Sequence, residues 1–148
     1  MILVDTNLLV RAIEAGDKHQ KPAVDALFLL RSRGEVPVLV PQNILEFYAV
    51  CTRSSRGPRL SADQVLLEVE KLKRDFPVLP ESPAVFAQWE TLVSNYKPVN
   101  RLVFDIRLAA SMIVHGISTI LTFNDGDFRS IQEIRTLNPF DLLNMPRV

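Results

Sequence analysis

Met1-Ile2-Leu3-Val4-Asp5-Thr6-Asn7 sets an uninterrupted apolar run directly against an acid and two small polar residues. A short run of this kind reads as a strand buried on both faces. Thr6 to Glu14 then carries Leu8, Leu9, Ala12 and Ile13 at helical spacing, with Gly16 beyond its end, so strand passes to helix at Asp5. The pattern recurs at Pro37 to Val40, a second buried strand followed by Pro41, which suits the first turn of a helix through about Thr52. Further helices are expected over Pro22 to Arg33, from a Ser61 cap to a stop before Pro77, from Ser82 through Tyr96, and from Asp105 to Gly116. Thr119 to Thr122 is a third strand; Val78-Leu79 and Ile134 to Leu137 read as short additional ones. Short apolar strands alternating with helices make an α/β fold, with a central, mostly parallel sheet flanked by helices.

Sheets of this kind bind ligands outside the carboxyl ends of their strands. Four acids converge there. Asp5 ends the first strand, Glu46 lies in the helix after the second, Asp105 opens the helix before the third, and Asp127 follows that strand. Each has an ordinary structural role open to it. Asp5 can cap a helix, Asp105 can answer a helix dipole, and Asp127 can be a turn residue in Asn124-Asp125-Gly126-Asp127, where Asp125 is a rival ligand. Glu46, set in Ile44-Leu45-Glu46-Phe47-Tyr48, is harder to dismiss, because an interior acid needs a partner. Clustered carboxylates repel one another. Hard oxygen donors gathered in this way suit Mg²⁺ or Mn²⁺, and the matching chemistry is phosphodiester hydrolysis.

The 148 residues fit one domain, residues 1–148, and 47% hydrophobic content can fill a core. A net charge of +0 leaves any polyanion to a local patch. The three arginines Arg53, Arg56 and Arg59 in a Gly- and Pro-containing loop are candidates to contact phosphates, against the plainer reading of a charged loop. The single cysteine, Cys51, excludes an internal disulfide and reads as a small buried hydrophobe. His115 suits a helix end, His19 sits in a polar loop, and Phe86, Trp89 and Leu92 fit one core face. Asp5 and Arg11 interrupt the N-terminal apolar stretch, which argues against a signal peptide. With no stretch of about 18 uncharged apolar residues, the expectation is a cytoplasmic protein without a membrane span.

Met1 to Asn7 resembles the opening motif of PIN domains. Val40-Pro41-Gln42-Asn43-Ile44-Leu45-Glu46-Phe47 resembles their second motif, and Phe104-Asp105-Ile106-Arg107-Leu108-Ala109-Ala110 with His115-Gly116-Ile117 their third. Ile120-Leu121-Thr122-Phe123-Asn124-Asp125-Gly126-Asp127-Phe128 resembles the fourth. The match runs in order along nearly the whole chain, and the bare single-domain layout is similar to VapC-type toxins of toxin–antitoxin pairs.

That resemblance implies a Mg²⁺- or Mn²⁺-dependent endoribonuclease. Asp5, Glu46 and Asp105 would form an acidic cage completed by Asp127, while Asn7, Thr122 and Asn124 would support it. Asn124 stands where many relatives have Asp, and Phe104 where many have His. The expected partners are an RNA substrate, a cognate antitoxin and a second copy of the chain. Leu8, Leu9, Phe47, Tyr48 and Val50 are too many apolar residues for one core face, so some are expected on an exposed interface patch. Two rivals remain. A haloacid-dehalogenase-type phosphatase would want an acid where Asn7 stands, and a catalytically silent PIN scaffold would bind RNA or protein without cutting.

Overall fold

The computed structural model describes residues 1–53 and 57–146. Its centre is a four-stranded, wholly parallel sheet of order β2-β1-β3-β4, built from β1 (Ile2–Val4), β2 (Pro37–Val38), β3 (Thr119–Leu121) and β4 (Arg135–Leu137). Leu3 is paired on both sides, with Val38 and with Ile120. Side chains alternate across a strand, so the sheet sorts its residues into two cores. Ile2 and Val4 join one with Leu8, Leu9, Leu27 and Phe47; Leu3 joins the other with Ile106, Met112 and Ile120.

The helices are α1 (Thr6–Ile13), α2 (Gln20–Ser32), α3 (Pro41–Cys51), α4 (Ala62–Asp75), α5 (Pro83–Tyr96), α6 (Leu102–Val114), α7 (Asp125–Phe128) and α8 (Pro139–Asn144). Four begin or end as their sequences dictate. The Ser61 hydroxyl accepts from Gln64 N at 3.2 Å while Gln64 Oε1 accepts from Ser61 N at 2.8 Å, a reciprocal cap on α4. Pro41 and Pro83 occupy first-turn positions, where a missing N–H costs nothing. Gly116 takes φ +68°, the left-handed turn that ends α6 at little steric cost.

Several expectations need correction. The second strand is shorter than Pro37 to Val40, because Leu39 leaves β1 and pairs with Val78 in a single parallel bridge. Val78-Leu79 contributes that bridge rather than a strand. Asp105 does not open its helix: α6 starts a turn earlier, after the tight turn in which Leu102 N donates to Val99 O at 3.2 Å. That places Leu102 against the core. Asn124 to Asp127 is a bare turn in sequence but enters the one-turn helix α7. Phe86 is 61% exposed, although Val85, Trp89, Leu92 and Tyr96 form the packed stripe of α5. It lies one position off that stripe and stacks on Trp89, ring centroids 5.4 Å apart. Leu8, Leu9 and Phe47 are all buried, since α1 and α3 pack on each other and on the sheet; of the apolar surplus only Tyr48 is exposed, together with Leu45. His19 is not simply in a polar loop, for its ring meets Phe123 edge-on at 4.9 Å.

Candidate acidic cleft

The carboxyl ends of β1 and β3 open into a cleft of about 860 Å³. Asp5, Glu46, Asp105 and Asp127 all line it, as do Asn7 and Asn124. Each acid arrives on its own element. Asp5 sits at the β1–α1 junction, with extended backbone at φ −70°, ψ 148° and its amide held by Leu121 O at 3.0 Å. Glu46 projects from α3, Asp105 from the first turn of α6, and Asp127 from α7.

Asp5 is 9% exposed. Its Oδ2 accepts from Thr122 Oγ1 at 2.6 Å and from Asn7 Nδ2 at 2.8 Å. Thr122 is itself fully buried and accepts from Asn7 Nδ2 at 3.1 Å and from Asn124 N at 2.9 Å. Glu46 has both oxygens engaged, Oε2 by Thr6 Oγ1 at 2.9 Å and Oε1 by Gln42 Nε2 at 2.7 Å. Asp127 accepts from Asn124 Nδ2 at 3.0 Å. Asp125 turns the other way, accepting from Asn138 Nδ2 at 3.3 Å, and does not line the cleft.

These acids are crowded enough to alter one another. Burial, and secondly Glu46, push Asp5 up to about 6 against the pull of the Thr122 hydroxyl. Burial, then Asp127, Asp5 and Glu46, push Asp105 up to about 7, with Arg101 opposing. Arg101 offsets only part of this, and among the described residues none of the four acids is ion-paired to a Lys or Arg. Among the described residues, however, no three His, Cys, Asp or Glu side chains stand close enough to hold an ion as they are placed. The four acids share a cleft rather than a single coordination sphere, as like charges without a counterion require. The donor set fits a hard divalent cation, being all oxygen, convergent and open to solvent on one side. Closing it on one ion would take rotation of these side chains.

The cleft also holds residues that sequence reasoning passed over. Arg101 and Asp105 are spaced i, i+4 across the start of α6 and both line it. Thr6 and Gln42 fix Glu46; the i, i+4 spacing of Gln42 and Glu46 on α3 was the available signal. Arg11 and Glu14 line the cleft too, paired to each other at 2.8 Å. Phe104 stands at its edge, 58% exposed. Of the three loop arginines, Arg53 lines the cleft, Arg59 does not, and Arg56 lies outside the described residues. Cys51 is buried and its thiol is pushed up to about 11, first by burial, which fits an inert core residue.

A parallel α/β sheet with acids from four elements meeting at its carboxyl end defines a domain organised around an acidic cleft. This chain belongs to the PIN domain family, whose model matches residues 2–134. It is 27% identical over 146 residues to Ribonuclease VapC24 of Mycobacterium tuberculosis, covering 94% of this chain and 97% of the relative. Among solved structures it resembles VapBC2 from Rickettsia felis bound to a promoter DNA fragment, with a TM-score of 0.71 at 19% identity over 93% of this chain and 98% of the other. It also resembles VapC20 of Mycobacterium tuberculosis, a toxin that cleaves the sarcin-ricin loop, with a TM-score of 0.63 at 18% identity over 91% and 99%. No helix among the described residues is long and apolar enough to cross a membrane.

Proposed function

We propose that this protein is a Mg²⁺- or Mn²⁺-dependent endoribonuclease acting in the cytoplasm, and the toxin of a toxin–antitoxin pair. The observation that carries the reading is the convergence of Asp5, Glu46, Asp105 and Asp127 on one cleft, where their mutual repulsion and burial outweigh the nearby Arg101 and leave Asp105 raised to about 7. Asp5, Glu46, Asp105 and Asp127 would hold a divalent ion, which when bound would supply Lewis-acid activation of water and charge neutralisation at the phosphate. The chain's own residues do the rest. Thr122 and Asn7 fix the rotamer of Asp5, Thr6 and Gln42 that of Glu46, and Asn124 that of Asp127. Arg53 and Arg101 flank the acids and offer charge to the backbone of an RNA strand. Phe104 offers an exposed ring for a base to stack upon, which suits single-stranded or looped RNA.

The partner reading follows from the same surface. VapC24 carries the name ribonuclease, and a further solved structure of similar fold, at 19% identity and a TM-score of 0.66, is a toxin–antitoxin complex from Klebsiella pneumoniae. Leu45, 71% exposed, and Tyr48 lie on α3, the helix that also carries Glu46 into the cleft. They form an apolar contact surface for a second copy or for an antitoxin segment, whose Lys or Arg would enter the acidic cleft and compete with metal. The test is cleavage of a structured RNA by the purified protein with Mg²⁺, with Mn²⁺ and with chelator, beside an Asp105→Asn control. Metal-dependent cleavage lost in the control supports the reading. Metal binding without cleavage would favour the silent scaffold.

A further inference from the structure

Gln42 is 5% exposed, and every polar atom of its amide is engaged. Nε2 donates to Glu46 Oε1 at 2.7 Å and to Phe104 O at 2.9 Å. Oε1 accepts from Arg107 Nη1 at 2.9 Å. Arg107 Nη2 in turn donates to Glu81 Oε2 at 2.8 Å, at the surface. The chain of contacts therefore runs from Glu81 through Arg107 and Gln42 to Glu46, and it ties α3 to the first turn of α6, where Asp105 sits.

An amide can face either way, and here only one way is tolerable. A guanidinium has donors and no acceptor, so Arg107 holds Oε1 towards itself. Turning the amide over would set its oxygen against the Glu46 carboxylate and the Phe104 carbonyl, and its NH₂ against the guanidinium. Arg107 thus decides which end of Gln42 meets Glu46. The positive charge itself stays one side chain away. A guanidinium bonded directly to Glu46 would offset the charge that a cation needs, whereas a neutral amide orients the carboxylate and leaves its charge in place.

We infer that Gln42 and Arg107 are positioning residues, an amide and the cation that locks its orientation, which together aim Glu46 into the cleft. The inference rests on the metal-dependent reading of that cleft. It is tested by titrating Mn²⁺ alone into purified wild-type protein and the variants Gln42→Met, Arg107→Met, Arg107→Lys and the double Met variant, with melting temperatures measured in parallel. Outer contacts of this kind contribute roughly 10-fold or more to metal affinity. Arg107→Met should therefore weaken Mn²⁺ binding by about that factor while the protein still folds. Arg107→Lys, which restores a donor to Oε1, should recover most of it. The double variant should bind no more weakly than the worse single one, because the two residues act as one unit. Unchanged affinity in a folded Arg107→Met protein, or losses that simply multiply in the double variant, would overturn the inference and leave the metal site standing. If Gln42→Met does not fold, the Arg107→Met and Arg107→Lys pair still decides. If wild-type protein binds no Mn²⁺, the metal-dependent reading fails, and this inference with it.

Discussion

Among the described residues Asp105 carries the least comfortable charge, pushed up to about 7 by burial and by three neighbouring acids; Asp5, deeper, is pushed up to about 6. Both exceed the value of 3.8 expected when the chain is unfolded. The folded protein thus holds protons more tightly than the unfolded chain between about pH 4 and pH 7, and its stability falls as pH rises through that window. In chelator-treated protein at pH 7.5, Asp105→Asn should raise the melting temperature by about 2–4 °C, the effect of roughly 1 kcal/mol after allowing for partial exposure. The gain should shrink as pH is lowered towards 4. The same variant should lose RNA cleavage. A gain that is flat with pH, or full activity, would contradict the role given to this carboxyl. A second comparison settles the fourth acid. Asp127→Asn should cut cleavage at least about 100-fold if Asp127 holds the metal, whereas Asn124→Ala should cost less, acting only through the 3.0 Å bond that steadies Asp127. A silent Asp127→Asn with a dead Asn124→Ala would reverse that assignment.

One buried polar side chain pins the start of helix α3. Asn43 is fully buried; its Oδ1 accepts from Val40 N at 2.9 Å, and its Nδ2 donates to Val4 O at 3.2 Å and Thr6 Oγ1 at 3.4 Å. It therefore closes the start of α3 and pins that helix to the end of β1, the junction that carries Asp5. Asn43→Ala should destabilise the fold by about 2–3 kcal/mol in chemical denaturation, because buried backbone groups lose their partners. A cost under about 0.5 kcal/mol would show that the junction is held by apolar packing alone. At this scale the sequence was legible where it is strongly periodic or capped: Ser61 and Gly116 mark real ends. It was less legible where a neighbour decides. The early start of α6 has no cap in sequence, and tertiary bonds hold its first turn, from Trp89 Nε1 to Val103 O at 3.2 Å and from Gln42 Nε2 to Phe104 O at 2.9 Å.

The molecule as a whole has a formal net charge of +0, yet gathers four acids at one sheet edge with Arg53 and Arg101 at their margin. Binding of a ligand to the folded state alone stabilises it by about 2.7 kcal/mol at 100 times the dissociation constant. Millimolar Mn²⁺ should accordingly raise the melting temperature of the wild type by several degrees and that of Asp105→Asn much less. Equal shifts in both would place the ion elsewhere. The margin arginines give a separate readout. Arg53→Ala and Arg101→Ala should each weaken RNA binding and reduce the slope of log affinity against log salt by about 0.7, the value for one phosphate contact on a single strand. An unchanged slope would leave these residues as ordinary surface charge.

Periodicity and the abrupt change from apolar run to acid were enough, without tertiary information, to place β1, β3 and most helices and to put Asp5, Glu46, Asp105 and Asp127 on one edge of a parallel sheet. That follows because strand and helix periods are local, and because a parallel sheet sends every strand's carboxyl end to the same side. What the chain's linear order does not contain is which side chains meet. Asp125 and Asp127 are two residues apart, and only packing turns one towards Asn138 and the other into the cleft. The pairing of Gln42 with Arg107 spans 65 positions and depends on how α3 lies against α6. Phe86 and Trp89 look alike in pattern, but α6 lies on the Trp89 side of α5, where Trp89 Nε1 donates to Val103 O at 3.2 Å, and Phe86 is left exposed. Hydrogen bonds and burial of this kind are set by the distance between elements, which only the folded molecule fixes.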